Sequence, residues 1–253
     1  MDPATLADPG TVLVWLGLLA AGTGAGVLGG VVGFGSSVVM MPLLALAFGP
    51  KAAVPMMAVA SLMANLSRVA VWWREVDLRA VAAYVVPAVP AAALGARTML
   101  ALDARWVELA LGAFLIAMVP ARRALQHRHR RIGRAQLAAV GAAVGFLTGI
   151  VASTGPVNAP FFLAHGLVKG AYLGTEALAS AAVYLAKALV FRDGGALPVD
   201  AMIAGAIVGS SLMLGSWLAK RLVERMEPGD FRTAMDVLLA VAGLTMLVQA
   251  LRM

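Results

Sequence analysis

Long apolar runs dominate the chain, and they fall into two matching series. In the first, a segment broken by small polar residues (Val12 to Phe48) precedes runs at Ala52 to Trp73, Ala80 to Leu100 and Trp106 to Val119. In the second, a broken segment (Ala135 to Val168) precedes runs at Ala171 to Phe191, Ala201 to Leu218 and Phe231 to Leu251. A helix needs roughly 20 residues to cross about 30 Å of hydrocarbon, and these runs lack the alternation of barrel strands. The pattern predicts membrane-spanning helices. With 61% hydrophobic and 13% charged residues and a mean hydropathy of +0.88, the chain is too apolar for an ordinary water-soluble domain.

The halves correspond locally. "GVLGG" at Gly26 recurs as "GFLTG" at Gly145, and Pro42 followed by Lys51 recurs as Pro160 followed by Lys169. The expected organisation is an N-terminal repeat over residues 1–119, a basic linker over 120–134 and a C-terminal repeat over 135–253. Most of the +7 net charge sits in that linker, "PARRALQHRHRRIGR", which reads as a cytoplasmic anchor touching the lipid surface rather than a nucleic-acid patch. If each broken segment dips in and returns, three full spans remain per half. The linker, the Arg74 to Arg79 turn and the cluster Lys220, Arg221 and Arg225 then share the cytoplasmic side. The fold expected is therefore all-α and polytopic, with two inverted repeats, each a glycine-broken, re-entrant or discontinuous segment plus three transmembrane helices. Eight ordinary spans are the alternative, because Val12 to Val32 is long enough to cross alone. Trp15, Trp72, Trp73, Trp106 and Trp217 lie near run ends, as an aromatic belt requires. Asp2 and Asp8 before the first run, with no basic residue, argue against a cleaved signal peptide.

Candidate chemistry lies in the breaks. Lipid cannot hydrogen-bond a free amide, so irregular backbone at depth must be buried in protein or line a wet cavity. Gly33, Phe34, Gly35, Ser36 and Ser37 form the first break, with Ser36 and Ser37 suited to cap a helix from about Val38. Ser153, Thr154, Gly155 and Asn158 form the second, with Asn158 a plausible cap and Pro160 suited to a first helical turn. Two helix starts meeting near the midplane would cradle a small anion, with the hydroxyls adding donors. Close helix packing is the simpler role for such glycines, but two breaks at corresponding places favour a site.

Three charges lie deep enough inside runs to count: Arg68, Glu176 and Lys187; Arg97 ends its run and reads as an interface anchor. Asn65 and Arg68 share a helical face with Ser61 and are expected to assist the anion together with Lys187. Glu176, on one stripe with Ser180 and Lys187, is expected to take a coupling proton or pair with a cation. The alternative for Arg68 and Lys187 is to snorkel to the head groups. His165, alone in a short apolar segment, reads as a packing residue.

Absent motifs bound the rest. There is no cysteine, no "HExxH", no carboxylate pair and no "GxxxxGK[ST]" loop, so the sequence points to no enzyme, metal or cofactor and no ATP drive. The partners it implies are a small anion, the bilayer, and a proton or sodium ion if transport is coupled. The alternatives are a membrane scaffold or assembly partner without transport activity, or a permease for another small organic anion.

"GGVVGFGSSVVMMPLL" and its degenerate copy "TGIVASTGPVNAPFF", on either side of a basic midpoint, make the chain similar to the TauE/SafE family of membrane permeases. The resemblance covers essentially the whole chain. It implies export of sulfite or an organosulfonate such as sulfoacetate across the bacterial cytoplasmic membrane. Composition and spacing alone point only to an anion.

Overall fold

The computed structural model describes residues 9–101, 131–151, 154–227 and 229–230. The expected runs Trp106 to Val119 and Phe231 to Leu251, the linker over 120–130 and the candidate Ser153 lie outside the described residues. Within them the chain is helical, with no strand. The elements are α1 (Pro9–Val32), α2 (Ser36–Phe48), α3 (Pro50–Trp72) followed by a 3-10 turn (Trp73–Glu75), and α4 (Leu78–Ala101). The second half gives α5 (Arg134–Ile150), α6 (Gly155–Ala164), α7 (Lys169–Asp193) and α8 (Val199–Arg225). Five stretches, Gly10–Val32, Ala52–Glu75, Leu78–Ala101, Lys169–Asp193 and Val199–Arg225, are long and apolar enough to cross a membrane.

The distribution of burial is that of a lipid-solvated protein. Leu46 and Val86 are 85% and 74% exposed, whereas Arg68, Glu176 and Lys187 are buried. Apolar side chains face outward because hydrocarbon covers them; the charges face inward because lipid cannot solvate them.

Each break is the tip of a helical hairpin. The Trp15 and Phe48 rings are 5.4 Å apart, and Gly29 abuts Ser36, so α2 folds back along α1. In the second hairpin Thr148 and Thr154 hydrogen-bond at the tip. At its mouth the Ile132 amide donates to Ala164 O (3.1 Å) and His165 Nδ1–H to Ile132 O (2.9 Å). That gives the lone histidine a structural role.

The hairpins are clamped by close small-residue seams between the halves. Gly22, Gly26 and Gly30 of α1 pack on Ser211, Leu212 and Ser216 of α8; Gly141, Gly145 and Gly149 of α5 pack on Tyr84, Ala88 and Ala92 of α4. A Cβ on Gly26 would lie 2.9 Å from Leu212 Cα, and one on Gly145 would lie 2.7 Å from Ala88 Cα. Only glycine permits such an approach, which lets dispersion rather than the hydrophobic effect hold helices together in lipid.

These pairs also give direction. Residue numbers rise together along α1 and α8, and along α4 and α5, so each pair runs parallel. Gly205 and Gly209 of α8 meet Met56 and Ala60 of α3, which is again parallel. The central pair, α3 and α7, is antiparallel: Arg68 meets Glu176, while Trp72 meets Gly174 and Glu75 meets Gly170. The packing scheme is unchanged when α1 to α4 are exchanged for α5 to α8: α1 on α8 matches α5 on α4, and α3 on α8 matches α7 on α4.

Candidate functional site

The two tips meet. Phe34, between the helices of the first hairpin, lies against Gly155, the first residue of α6, where a side chain on Gly155 would collide with the Phe34 Cβ. Beside this contact is a polar cavity of about 30 Å³. That admits about two water molecules, at roughly 10–15 Å³ each. Gly33, Phe34, Ser36 and Ser37 line it from the first tip, and Thr154, Gly155 and Asn158 from the second. Ser61, Asn65 and Arg68 of α3 and Glu176, Ser180 and Tyr184 of α7 close its sides, with Tyr84 of α4 and Ser216 of α8. Residues 61–68 and 176–184 lie about halfway along the spans Ala52–Glu75 and Lys169–Asp193.

The helix starts differ in detail from the expected caps. α2 begins at Ser36, with Gly35 at the cap position at φ 104°, a left-handed conformation that favours glycine; neither serine caps it. α6 begins at Gly155 with Thr154 at the cap position and Pro156, not Pro160, in its first turn. Asn158 is already inside the helix, where its Oδ1 accepts from the Tyr84 hydroxyl (2.7 Å). Neither cap residue makes a side-chain cap hydrogen bond, so each start presents the positive end of its dipole; in the first turn of α6 the Val157 and Asn158 amides donate to Thr154 O and Pro156 has no N–H.

Arg68 is buried at the centre of the site. It donates to Gly33 O (2.5 Å) and to Asn65 Oδ1, and its Nη1 lies 3.1 Å from Glu176 Oε2. Glu176 Oε1 accepts from Ser180 (2.6 Å), and Asn65 Nδ2 donates to Ser61 O (2.8 Å). Glu176 Oε2 has the ion pair but no hydrogen bond, and Ser61 Oγ has no hydrogen-bond partner among the described residues. Burial without a partner costs about 1–3 kcal/mol per polar group, so Ser61 Oγ is poised for something polar in the cavity.

Lys187 does not join this group. The expected stripe of Glu176, Ser180 and Lys187 splits: the first two face the cavity, while Lys187 turns to the end of α5 and donates to Thr148 O (2.8 Å) and Val151 O (2.6 Å). Snorkelling is excluded for both cations, since Arg68 and Lys187 are 6% and 0% exposed. Gly35 sets the turn but does not line the cavity. Tyr84, Tyr184, Thr148 and Ser216 were not among the sequence candidates. Tyr84 had a readable signal, as the lone hydrogen-bonding side chain between Ala80 and Ala96 of an apolar run. Among the described residues no group of three or more His, Asp or Glu could hold a metal.

A family model described as Sulfite exporter TauE/SafE matches residues 18–246. The chain belongs to the TauE/SafE family. No curated protein and no solved structure matches it. The matched region of this TauE/SafE protein contains both hairpin tips and every residue named at the cavity. It is thus a multi-pass membrane protein of an exporter family, not of an enzyme family.

Proposed function

We propose that this TauE/SafE protein exports a small sulfur oxyanion, sulfite or a compact organosulfonate such as sulfoacetate, across the bacterial cytoplasmic membrane. The anion binds between the hairpin tips. The observation that carries this reading is the convergence of two helix starts without side-chain caps on one polar cavity beside the buried guanidinium of Arg68. Each helix start contributes about half a positive charge, which attracts an anion. Ser36, Ser37, Asn158 and Arg68 add donors; Thr154 closes the second tip through Thr148.

The opposed directions of α3 and α7, and the exchange symmetry of the packing, support two inverted repeats. Such repeats rock around a fixed midplane site, which gives alternating access. The cavity has room for about two water molecules, so on this reading the tips part to load the anion. The Phe34 and Gly155 contact is where they part.

Glu176 competes with the anion for Arg68. Protonating Glu176 releases the guanidinium to the substrate and removes a like charge from beside it. Anion loading and proton uptake therefore favour each other.

The test is flux. Purified protein in liposomes should release trapped sulfite faster than empty liposomes, and Arg68→Ala should abolish the difference. Equal flux with and without protein would reject transport of sulfite; sulfoacetate and taurine extend the comparison to sulfonates.

A further inference from the structure

Lys187 is a fully buried cation that the anion site does not use. The ion pairs among the described residues join Arg68 to Glu176 and Lys220 to Glu224; Lys187 is in neither. Its ammonium is held instead by Thr148 O and Val151 O, at the C-terminal end of α5, with the Phe191 ring 5.3 Å away. A helix C-terminus presents unpaired carbonyls and about half a negative charge, and an aromatic face attracts cations. Carbonyls and an aromatic face together form a cation site.

In transporters built on broken helices, unwound carbonyls and the C-terminal ends of half-helices are where a coupling sodium ion binds. Here the corresponding places are already filled. In the second half Lys187 covers the end of α5. In the first, Arg68 takes Gly33 O and the Tyr172 hydroxyl takes Val32 O (3.1 Å), covering the end of α1. The amide oxygens near the cavity are engaged as well, Asn65 Oδ1 by Arg68 and Asn158 Oδ1 by Tyr84. We propose that Lys187 is a tethered cation standing where sodium would otherwise bind, and that the anion movement of this protein is independent of sodium.

The two halves differ in one respect. Among the described residues no carboxylate competes for Lys187, so the α5–α6 hairpin stays latched. Arg68 is shared between the α1 end, Glu176 and the cavity, so the α1–α2 hairpin is the one that ligand binding can release. The sodium proposal rests on the transport reading for its second half, and melting tests the first half without flux.

The experiment compares full-length protein in detergent in NaCl and in choline chloride at equal ionic strength. The wild type should melt at the same temperature in both. Lys187→Ser bares the carbonyls and should melt roughly 5 °C or more below wild type in choline chloride, regaining a large part of that loss in NaCl. Wild type stabilised by sodium over choline, or a Lys187→Ser variant that melts like wild type or ignores sodium, would overturn the proposal. Should Lys187→Ser not fold, Lys187→Met keeps the bulk without the charge: low melting in both salts supports a tethered cation, and wild-type melting refutes it. In liposomes, equal sulfite flux in sodium and choline supports independence and sodium-dependent flux overturns it. Absence of flux in both salts would count against the transport reading, with the melting result unaffected.

Discussion

Arg68 and Lys187 do the same local work in opposite halves of the chain. Each lies on the helix that follows its hairpin and reaches back to the carbonyls that end the helix before the tip, Arg68 to Gly33 O and Lys187 to Thr148 O and Val151 O. Of the two only Arg68 also faces the cavity, and among the described residues only Arg68 has a carboxylate partner. The halves share one scaffold, and Glu176 makes them chemically unequal.

Removing one partner of the Arg68 and Glu176 pair leaves a buried charge uncompensated. Arg68→Ala should lower stability by about 3–5 kcal/mol and abolish sulfite binding. The double variant Arg68→Ala with Glu176→Gln should recover part of the stability and none of the binding. Thermal melting with and without sulfite separates the two effects; a double variant that binds normally would remove Arg68 from the site.

Ser36→Ala and Asn158→Ala should each weaken sulfite binding by about 10- to 100-fold, since a hydrogen bond to a charged group contributes about 1.5–3 kcal/mol. Stability without ligand, read by melting, should change little for Ser36→Ala, which keeps the Cβ against Gly29, and fall by about 1–3 kcal/mol for Asn158→Ala, which leaves the buried Tyr84 hydroxyl unpaired. Tyr84→Phe should act in the same direction as Asn158→Ala, because the Tyr84 hydroxyl is what orients the Asn158 amide. Isothermal titration of the three variants checks this; unchanged affinity in all three would place the anion elsewhere.

Glu176 competes for Arg68 and sets a negative charge beside the cavity. Glu176→Gln keeps the shape and removes that charge, so it should bind sulfoacetate more tightly than wild type in isothermal titration. Unchanged or weaker binding would remove the competition for Arg68 from the mechanism.

Glycine substitutions separate packing from the site. Gly26→Ala and Gly145→Ala drive a Cβ into Leu212 and Ala88 and should cost about 1–3 kcal/mol. Gly24→Ala, two residues from Gly26, meets nothing within 4 Å and should be neutral or stabilising by up to about 1 kcal/mol. Gly35→Ala meets open space as well, but at φ 104° the alanine is strained, at a cost of about 1–3 kcal/mol. Melting temperatures in that order would confirm the seams; equal melting of Gly24→Ala and Gly26→Ala would contradict them.

Much of this arrangement was legible along the chain. Glycines and serines at Gly33 to Ser37, inside an apolar run, are costly in lipid unless the backbone turns there, and the backbone does turn there. Arg68 and Glu176 were legible as buried charges for the same reason. Their pairing was not, since it joins positions far apart in sequence through the packing of α3 on α7. The caps were misread because Gly35, with its positive φ, displaced the serines from the cap position, and because Asn158 found a better partner in Tyr84. The fate of Lys187 depended on distance along the helix. Eleven residues drift only about 20° around α7 but advance about 16 Å along it, which carries Lys187 past the cavity to the end of α5.

The most direct test of the central claim is the position of a bound oxyanion. Selenite, a heavier analogue of sulfite, can be located by its anomalous scattering in crystals of the protein. The peak should lie between Phe34, Arg68 and Asn158, in contact with the first turns of α2 and α6. A peak confined to the protein surface, with the space between the tips empty at saturating selenite, would contradict the account.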